Sequence, residues 1–358
     1  MKFGLILIPR IGDAHVVKEA EDLGYHAVWW GENHMLWSDI YPTMALAARA
    51  TSRIRLGTGV SVPVTRIAPV TAHSIASINQ IAPGRTFVGI GSGGAALRLM
   101  GQQPLGARAF EEYVRVLCAL LHGEECDYSA EGATHSIRFL NAGLGFRNVE
   151  DRVPIYVAAQ GPKALKLAGR YGDGLVSVLG IDADTTASRL EMVEEGAAAA
   201  RQTLASDFHY SAVCSAVLLR PGEKLTDERV IDVAGPFVTS TLHRNYGLYW
   251  ETGSDEHIPD AMSGIWEEYR DFVESQDVPP DKRFLALHEK HTSHLTPSHR
   301  RFITPELIEA HNIVGSADEI AERLGQCEAV GLREISLLWG MENLSEVMRD
   351  FTEVTKRF

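Results

Sequence analysis

Four short apolar runs in this chain end in segments rich in glycine, small hydroxyl, amide and imidazole groups. The segments are residues 29–34 (Trp-Trp-Gly-Glu-Asn-His), 57–61 (Gly-Thr-Gly-Val-Ser), 89–94 (Gly-Ile-Gly-Ser-Gly-Gly) and 158–163 (Ala-Ala-Gln-Gly-Pro-Lys). Glycine allows a flat or phosphorylated ligand to approach the backbone closely. One such segment alone is also typical of a tight turn. Their recurrence after successive apolar runs indicates a ligand-binding edge.

The last of these segments predicts a site for an anion. Gly161-Pro162-Lys163 opens a helical pattern, and proline suits the first turn of a helix because the N–H it lacks has no partner there. The free N–H groups at that end of a helix, with Lys163 beside them, favour a phosphate group.

The first segment supplies a candidate for proton transfer. Histidine titrates near neutrality, so His34 is suited to protonate an acceptor atom. The alternative is that His34 only caps a turn. Trp37 lies in the same loop and is expected to form a pocket wall, whereas Trp29 and Trp30 are expected in the core.

The elements that position these residues alternate between two patterns. Runs typical of strands buried on both faces of a parallel sheet cover residues 3–8, 27–30, 54–62, 86–91, 155–159, 175–179, 210–219 and 335–339. Amphipathic helical patterns cover residues 13–23, 67–81, 107–121 and 316–330, the last opened by the capping box Ser316-x-x-Glu319. Eight strands with helices between them predict an α/β fold, a (β/α)₈ TIM barrel, rather than a doubly wound sheet.

The chain length of 358 residues exceeds that of a typical barrel. We expect one barrel domain over residues 1–358, with an insertion over residues 232–305 after the seventh strand. Loops that follow barrel strands lie over the carboxyl face, so this insertion is expected to be a lid over the substrate.

The insertion carries four histidines: His288, His291, His294 and His299. Their spacing allows a metal site as one alternative. No cysteine accompanies them, and Pro297 interrupts any helix there, so we expect no metal site and a polar lid instead. His291 and His294 are the predicted substrate-pocket residues of this segment.

Charge and composition exclude several partners. The chain has 47 acidic and 34 basic residues, a net charge of −13, which disfavours binding to nucleic acid or to anionic membranes. The four cysteines form no Cys-x-x-Cys pair, which is typical of a reduced intracellular protein. The N-terminal apolar run is too short for a signal peptide and the longest apolar stretch is too short to span a bilayer, so we expect a soluble cytoplasmic protein.

Three long blocks and one short segment resemble a known family. They are residues 56–93 (LGTGVSVPVTRIAPVTAHSIASINQIAPGRTFVGIGSG), 154–176 (PIYVAAQGPKALKLAGRYGDGLV), 313–340 (IVGSADEIAERLGQCEAVGLREISLLWG) and 25–34 (YHAVWWGENH). They resemble the luciferase-like flavin-dependent oxidoreductases, within which the branch of methylenetetrahydromethanopterin reductases and deazaflavin-dependent dehydrogenases is most similar. The resemblance implies a bacterial-luciferase-like barrel that binds FMN or the deazaflavin coenzyme F-420 (F420) at its carboxyl mouth.

The resemblance also implies roles for individual residues. His34 stands where the deazaflavin dehydrogenases keep an active-site histidine. Contacts to the cofactor are implied at Asn33, in the strand-three bulge at Gly59, Val60 and Ser61, at Ser92 and Gly93, and in the phosphate turn at Gln160, Gly161, Pro162 and Lys163. In the family, the bulge holds a cis peptide behind the deazaflavin ring.

One position departs from the family, and several alternatives stay open. Sugar-phosphate dehydrogenases of this branch carry an acidic residue where this chain has Gly94, which argues against their substrate and places Gly94 in the substrate pocket. The cofactor is FMN, with oxygenation of the substrate, or F420, with hydride transfer to a small organic molecule. The rival interpretation is a redox-silent paralogue that serves as a binding subunit. The family implies a homodimer, with a separate flavin reductase if FMN is used.

Overall fold

The computed structural model describes residues 1–178 and 180–358. The strands are β1 Lys2–Leu7, β2 Ala27–Trp30, β3 Arg55–Ser61, β4 Thr86–Ile90, β5 Cys126–Ala130, β6 Ala133–Ile137, β7 Ile155–Ala158, β8 Gly174–Val178, β9 His209–Leu218, β10 Asn312–Gly315 and β11 Glu334–Leu338. The helices are α1 Ala14–Asp22, α2 Ile40–Ala50, α3 Ala68–Ile81, α4 Ala95–Arg98, α5 Ala107–Leu121, α6 Pro162–Tyr171, α7 Ala183–Ala199, α8 Glu228–Thr252, α9 Trp266–Glu274, α10 Arg283–Leu287, α11 Pro305–His311, α12 Ala317–Ala329 and α13 Leu344–Thr355.

The strands form a closed barrel. Within the described ranges, eight parallel strands form a ring in the order β9-β11-β1-β2-β3-β4-β7-β8, and β8 pairs back to β9. Each of the eight coincides with a predicted strand, so the (β/α)₈ prediction is confirmed. Residue 179, the last of the strand predicted over residues 175–179, lies outside the described residues. Two features were not predicted: the antiparallel hairpin of β5 and β6, and β10, which pairs with β9.

The helices also follow the sequence pattern. The predicted helices over residues 13–23, 67–81, 107–121 and 316–330 correspond to α1, α3, α5 and α12. In the predicted capping box, the Ser316 amide donates to Glu319 Oε2 over 2.8 Å. The Glu319 amide in turn donates to Ser316 Oγ over 3.4 Å. The reciprocal pair of bonds that defines a capping box is therefore formed.

The chain divides into two compact units, one of residues 1–213 with 325–336 and the other of residues 214–324 with 337–358. A group of aromatic rings packs in the interior of the first unit. The ring centroids of Trp29 and Phe87 lie 4.3 Å apart, and Tyr156 lies 5.5 Å from Trp29 and 5.4 Å from Phe87. Gly57 pairs with Trp29 on one side and Phe87 on the other. A Cβ at Gly57 would come within 2.1 Å of the Phe87 ring, so this glycine provides room in the close-packed core rather than access for a ligand.

A fully buried carboxyl group, that of Glu334, lies among these rings. Its Oε1 accepts hydrogen bonds from Trp29 Nε1 (2.7 Å) and Ser336 Oγ (2.9 Å), and its Oε2 lies 3.0 Å from His209 Nε2. Burial by itself raises the pKa of this carboxyl, but the hydrogen bonds from His209 and Trp29 outweigh it and hold the pKa below its ordinary value. A buried carboxylate is tolerated here because several donors surround it.

The second unit contains the segment predicted as an insertion. In it β10 pairs with residues 215–218 of β9, and Trp339 Nε1 donates to the carbonyl of Ala216 over 2.8 Å. The predicted insertion over residues 232–305 starts inside α8, which begins at Glu228, and ends at Pro305, the first residue of α11. These helix bounds do not test whether the segment is an insertion, so it stays a prediction about domain organisation. Among the helices of the described ranges, none is both long and apolar enough to cross a membrane.

We expect Glu334→Ala to lower the free energy of unfolding by about 3 kcal/mol or more, because three buried donors lose their acceptor. Glu334→Gln keeps an acceptor of the same shape and should cost clearly less. Urea unfolding measures both variants. The control is Glu353→Ala at an exposed position. Its free energy of unfolding should stay within about 0.5 kcal/mol of the wild type, as is usual for surface substitutions. Equal losses for Gln and Ala at position 334 would show that the hydrogen bonds contribute nothing.

Candidate active site

The loop after β2 brings together the first group of candidate residues. The amides of Leu36 and Trp37 both donate to the carbonyl of Asn33, which closes a turn at residues 33–37. The Trp37 ring packs on Gly31, 3.0 Å from where a Cβ would stand. Asn33 is buried, whereas the His34 side chain keeps 27% of its surface exposed. His34 is therefore accessible to a ligand at the carboxyl end of the barrel strands.

The loop also buries a carboxyl group that the sequence analysis did not single out. Glu32 Oε2 accepts a hydrogen bond from the amide of Val62 over 2.7 Å. Its Oε1 lies 3.3 Å from His34 Nε2 and 3.9 Å from Arg66 Nε. Glu32 thus joins the loop after β2 to the chain that follows β3, and it lies beside the candidate catalytic histidine.

The environment of this pair changes both proton affinities. Burial raises the pKa of Glu32 to about 7, although the Val62 amide and the Arg66 charge act against the rise. Burial lowers the pKa of His34, and the positive charge of Arg66 lowers it further. Glu32 therefore gains or loses its proton around neutral pH, beside an imidazole whose neutral form is favoured. Perturbed groups of this kind are typical of active sites.

The end of β3 has the predicted bulge. The peptide bond between Gly59 and Val60 is cis, as the resemblance implied, and the pairing with β4 shifts register between Thr58 and Ser61. Ser61 Oγ lies 2.8 Å from the hydroxyl of Tyr41. The next residue, Val62, bonds Glu32 through its amide, so the end of β3 lies beside the loop that carries Glu32 and His34.

The turn after β4 carries Ser92, Gly93 and Gly94. Gly93 has a φ of +91°, and a Cβ there would also come within 2.3 Å of Leu97, so this position requires glycine. Gly94 precedes α4, and no atom lies within 4 Å of where its Cβ would stand. The missing acidic side chain at Gly94 thus leaves open space. The carbonyl of Ser92 accepts from the amide of Leu105 over 2.9 Å.

Helix α6 begins as predicted, with Gly161 as its N-cap and Pro162 in its first turn. No side chain caps this end in the described structure, so backbone N–H groups stay available for an anion. Lys163 and Ser92 line one cavity of about 490 Å³, together with Arg108. The Gln160 side chain instead binds within the protein, since its Nε2 donates to the carbonyl of Val178 over 2.7 Å.

Three buried polar atoms near the Glu32 carboxyl lack a hydrogen-bond partner among the described residues. They are Asn33 Oδ1, His34 Nδ1 and Arg66 Nε. An unpaired buried polar group costs about 1–3 kcal/mol. One acceptor, one imidazole nitrogen and one cationic donor are thus left for a ligand to satisfy.

The second unit gathers the histidines of the predicted lid into a buried cluster. His243 Nδ1 lies 3.3 Å from His291 Nδ1, and His243 Nε2 lies 3.3 Å from His299 Nε2. The ring centroids of His288 and His291 lie 4.8 Å apart. His294 lies outside this cluster: among the contacts described, its Nδ1 bonds only Oγ of the neighbouring Ser293, over 3.0 Å. Across the described ranges, no three His, Cys, Asp or Glu side chains are arranged to hold a metal ion.

Sequence reasoning missed Glu32, Arg66 and His243. Glu32 stands next to Asn33 in the segment already singled out. Its carboxyl group, between two tryptophans and a histidine, could have indicated a buried acid beside the candidate catalytic residue. His243 lies 48 residues before His291, and nothing local in the sequence connects the two.

A closed TIM barrel with an acid–imidazole pair at the carboxyl ends of its strands has the arrangement of a barrel enzyme, whose active site lies at that face. A solved structure, the coenzyme F420-dependent tetrahydromethanopterin reductase of Methanopyrus kandleri, superposes with a TM-score of 0.68 at 22% identity and covers 100% of this chain and 99% of that chain. At this identity the likeness shows the fold.

The chain belongs to the luciferase-like monooxygenase family, whose model matches residues 14–334. It is 27% identical over 344 residues to the 5,10-methylenetetrahydromethanopterin reductase of Archaeoglobus fulgidus, covering 94% of this chain and 92% of that protein. It is 37% identical over 183 residues to the protein of the same name from Methanolobus tindarius, with 49% and 53% covered. The match thus spans about half the length of the Methanolobus protein.

The buried histidines predict an acid-sensitive fold. Burial lowers the pKa of His243, of His291 to about 3 and of His299 to about 4. Below the ordinary histidine pKa of about 6.5 the unfolded chain binds protons that the folded chain does not, so stability is full above that pH and falls as the pH drops toward 4. Each imidazole contributes a slope of up to about 1.4 kcal/mol per pH unit.

We therefore expect His299→Gln to reduce the slope of the unfolding free energy against pH between pH 6.5 and 4.5. The reduction should be about 1.4 kcal/mol per pH unit, which corresponds to one proton. Urea unfolding at several pH values measures the slope, and His294→Gln, in the same unit but outside the cluster, is the matched control. An unchanged slope in His299→Gln would contradict the assignment.

Proposed function

We propose that the chain is an oxidoreductase that holds coenzyme F420 at the carboxyl ends of the barrel strands and transfers a hydride to a small organic substrate. FMN is the second candidate cofactor, with oxygenation of the substrate. The observation that carries the proposal is the set of unpartnered buried polar atoms beside the Glu32–His34 pair.

These residues fit a flavin or deazaflavin ring. Such rings carry N–H donors and carbonyl acceptors along one edge. Asn33 Oδ1 is a buried acceptor and Arg66 Nε a buried donor, and neither atom has a hydrogen-bond partner in the described structure. The backbone at Gly59 and Val60 is the proposed surface behind the ring, with Ser61 in the same bulge. Ser92 and Gly93 are the proposed contacts toward the sugar-like chain.

The proposed seat of the phosphate is the uncapped start of α6. Gly161, Pro162 and Lys163 form this end, and Lys163 shares a cavity with Arg108 and Ser92. Backbone N–H groups and cationic side chains together favour an anion. Gln160 is proposed to support this turn through its bond to Val178.

F420 is favoured because the Archaeoglobus and Methanolobus relatives are named methylenetetrahydromethanopterin reductases and the similar Methanopyrus structure is named F420-dependent. FMN stays a candidate because the matching family is described as luciferase-like monooxygenase. When bound, the reduced cofactor supplies a hydride, and reduced FMN can also react with oxygen. The protein's part is to orient both reactants and to exclude water.

His34 is the proposed proton donor to the substrate, and Trp37 and Gly94 are proposed walls of its pocket. The open space at Gly94 supports a substrate other than a sugar phosphate. The part of His291 and His294 in the substrate pocket stays a prediction. A redox-silent paralogue is not favoured, because such a chain has no use for a buried acid–imidazole pair.

We further propose a homodimer, located in the cytoplasm, with a separate flavin reductase if FMN is the cofactor. Exposed apolar side chains on and before α3 support association of two copies, since Ile67 and Val70 keep 52% and 41% of their surface exposed. Clustered apolar surface of this kind is typical of interaction sites. The acidic net charge of −13 supports the absence of a nucleic-acid partner.

Titration of the purified protein with oxidised F420 and, separately, with FMN tests the proposal. We expect micromolar binding of F420. Lys163→Ala should weaken that binding about 10- to 100-fold, because a charged hydrogen bond to the phosphate is worth about 1.5–3 kcal/mol. Lys18→Ala is the control, since Lys18 lies on α1, pairs with Asp22 and does not line this cavity.

Tight binding of FMN and none of F420 would contradict hydride transfer from F420 and would favour FMN as the cofactor, with oxygenation of the substrate. Failure to bind either cofactor would disprove the proposed function. Equal losses in the two lysine variants would show that the start of α6 is not the phosphate seat.

A further inference from the structure

The Glu32 carboxyl is placed to do more than close a loop. It contacts His34 at Nε2, while Nδ1 of the same ring has no partner among the described residues. One nitrogen of the imidazole therefore faces an acid, and the other is left for a ligand. This is the arrangement in which a histidine can pass a proton across its ring.

We propose that Glu32 positions His34 through Nε2 and stores the proton that replaces the one His34 gives to the substrate from Nδ1. This inference rests on the proposed function for its substrate, which is any acceptor whose carbon takes a hydride and whose attached oxygen then needs a proton.

The proposed transfer moves two protons, one from His34 to the substrate and one from Glu32 to His34. Before the reaction, the Glu32 hydroxyl donates to Nε2, and Nδ1 carries the ring hydrogen. A bound reduced deazaflavin or flavin would supply the hydride to the substrate carbon, and the substrate oxygen would then carry the negative charge that needs a proton. The N–H bond at Nδ1 breaks as the substrate O–H bond forms, and the Glu32 proton moves to Nε2. The pair ends as a carboxylate beside a neutral imidazole, and solvent returns one proton.

The surroundings suit both states of Glu32. Burial favours the protonated carboxyl and raises its pKa to about 7, so Glu32 can hold a proton before the reaction and release it near neutral pH. The Val62 amide at 2.7 Å and Arg66 at 3.9 Å stabilise the carboxylate afterwards. Arg66 is itself held by Asp39, 2.6 Å away, and its guanidinium lies 4.5 Å from the centre of the Tyr41 ring.

Several titratable or charged groups act on the pair from the elements packed around it. They are Arg66 from the chain after β3, Asp39 from the turn before α2, Tyr41 from α2 and Tyr113 from α5. Burial raises the pKa of both tyrosines far above neutrality, so neither ionises in the range where the pair exchanges its proton.

The experiment is a pH titration of the cofactor-free full chain, labelled with ¹⁵N-histidine and followed by NMR. The His34 resonances are assigned by their loss in His34→Gln. In the wild type we expect the ring to change from the Nδ1–H to the Nε2–H tautomer, with an inflection near pH 7. In Glu32→Gln the inflection should be absent, because an amide keeps the shape but holds no titrating proton. Glu32→Asp should restore an inflection.

Asp39→Asn is the matched control. It removes a neighbouring charge without touching His34, and asparagine can still cap α2 as Asp39 does, so the inflection should persist. An unchanged inflection in Glu32→Gln, or a wild-type His34 that keeps one tautomer from pH 5 to 9, would overturn the proposal. If the inflection depends on Glu32 but neither F420 nor FMN binds, the positioning role is supported and the proposed function fails.

Discussion

The interior of the barrel depends on the close approach of β2, β3 and β4 at Gly57. With no Cβ at this position, the rings of Trp29 and Phe87 approach to 4.3 Å across the middle strand. The resulting register pairs Trp29 with Gly57 and Gly57 with Phe87. Because neighbouring parallel strands end at the same edge, this register also sets which loop residues meet beyond the strands. The contact between Glu32 and Val62 is one outcome of this packing.

Two buried carboxyl groups in the first unit show how hydrogen-bond donors decide protonation. Glu334 has three side-chain hydrogen-bond partners within 3.0 Å, and its pKa is lowered although the carboxyl is fully buried. Glu32 has one amide donor at 2.7 Å and a cation at 3.9 Å, and burial raises its pKa. The same residue type is therefore a charged structural centre in one place and a proton carrier in the other. Neither outcome follows from the residue type alone.

Much of the fold was predictable because its determinants are local. Continuous apolar runs such as residues 86–90 indicate strands buried on both faces, and Ser316 with Glu319 indicates the start of a helix within four residues. The hairpin of β5 and β6 was missed because its strands are mostly exposed and carry no apolar run. The start of α6 was predictable for the same local reason, since Gly161 and Pro162 mark the start of a helix by themselves.

The amino-acid sequence alone specified the order of strands and helices, the glycine-rich strand ends and the family, because each depends on residues close together in the chain. Only the folded structure placed the Glu32 carboxyl on the amide of Val62, 30 residues away, and His243 between His291 and His299. Such contacts depend on strand register and helix packing over long separations. Burial, which then sets the proton affinities of these groups, is likewise a property of the folded chain rather than of any short segment.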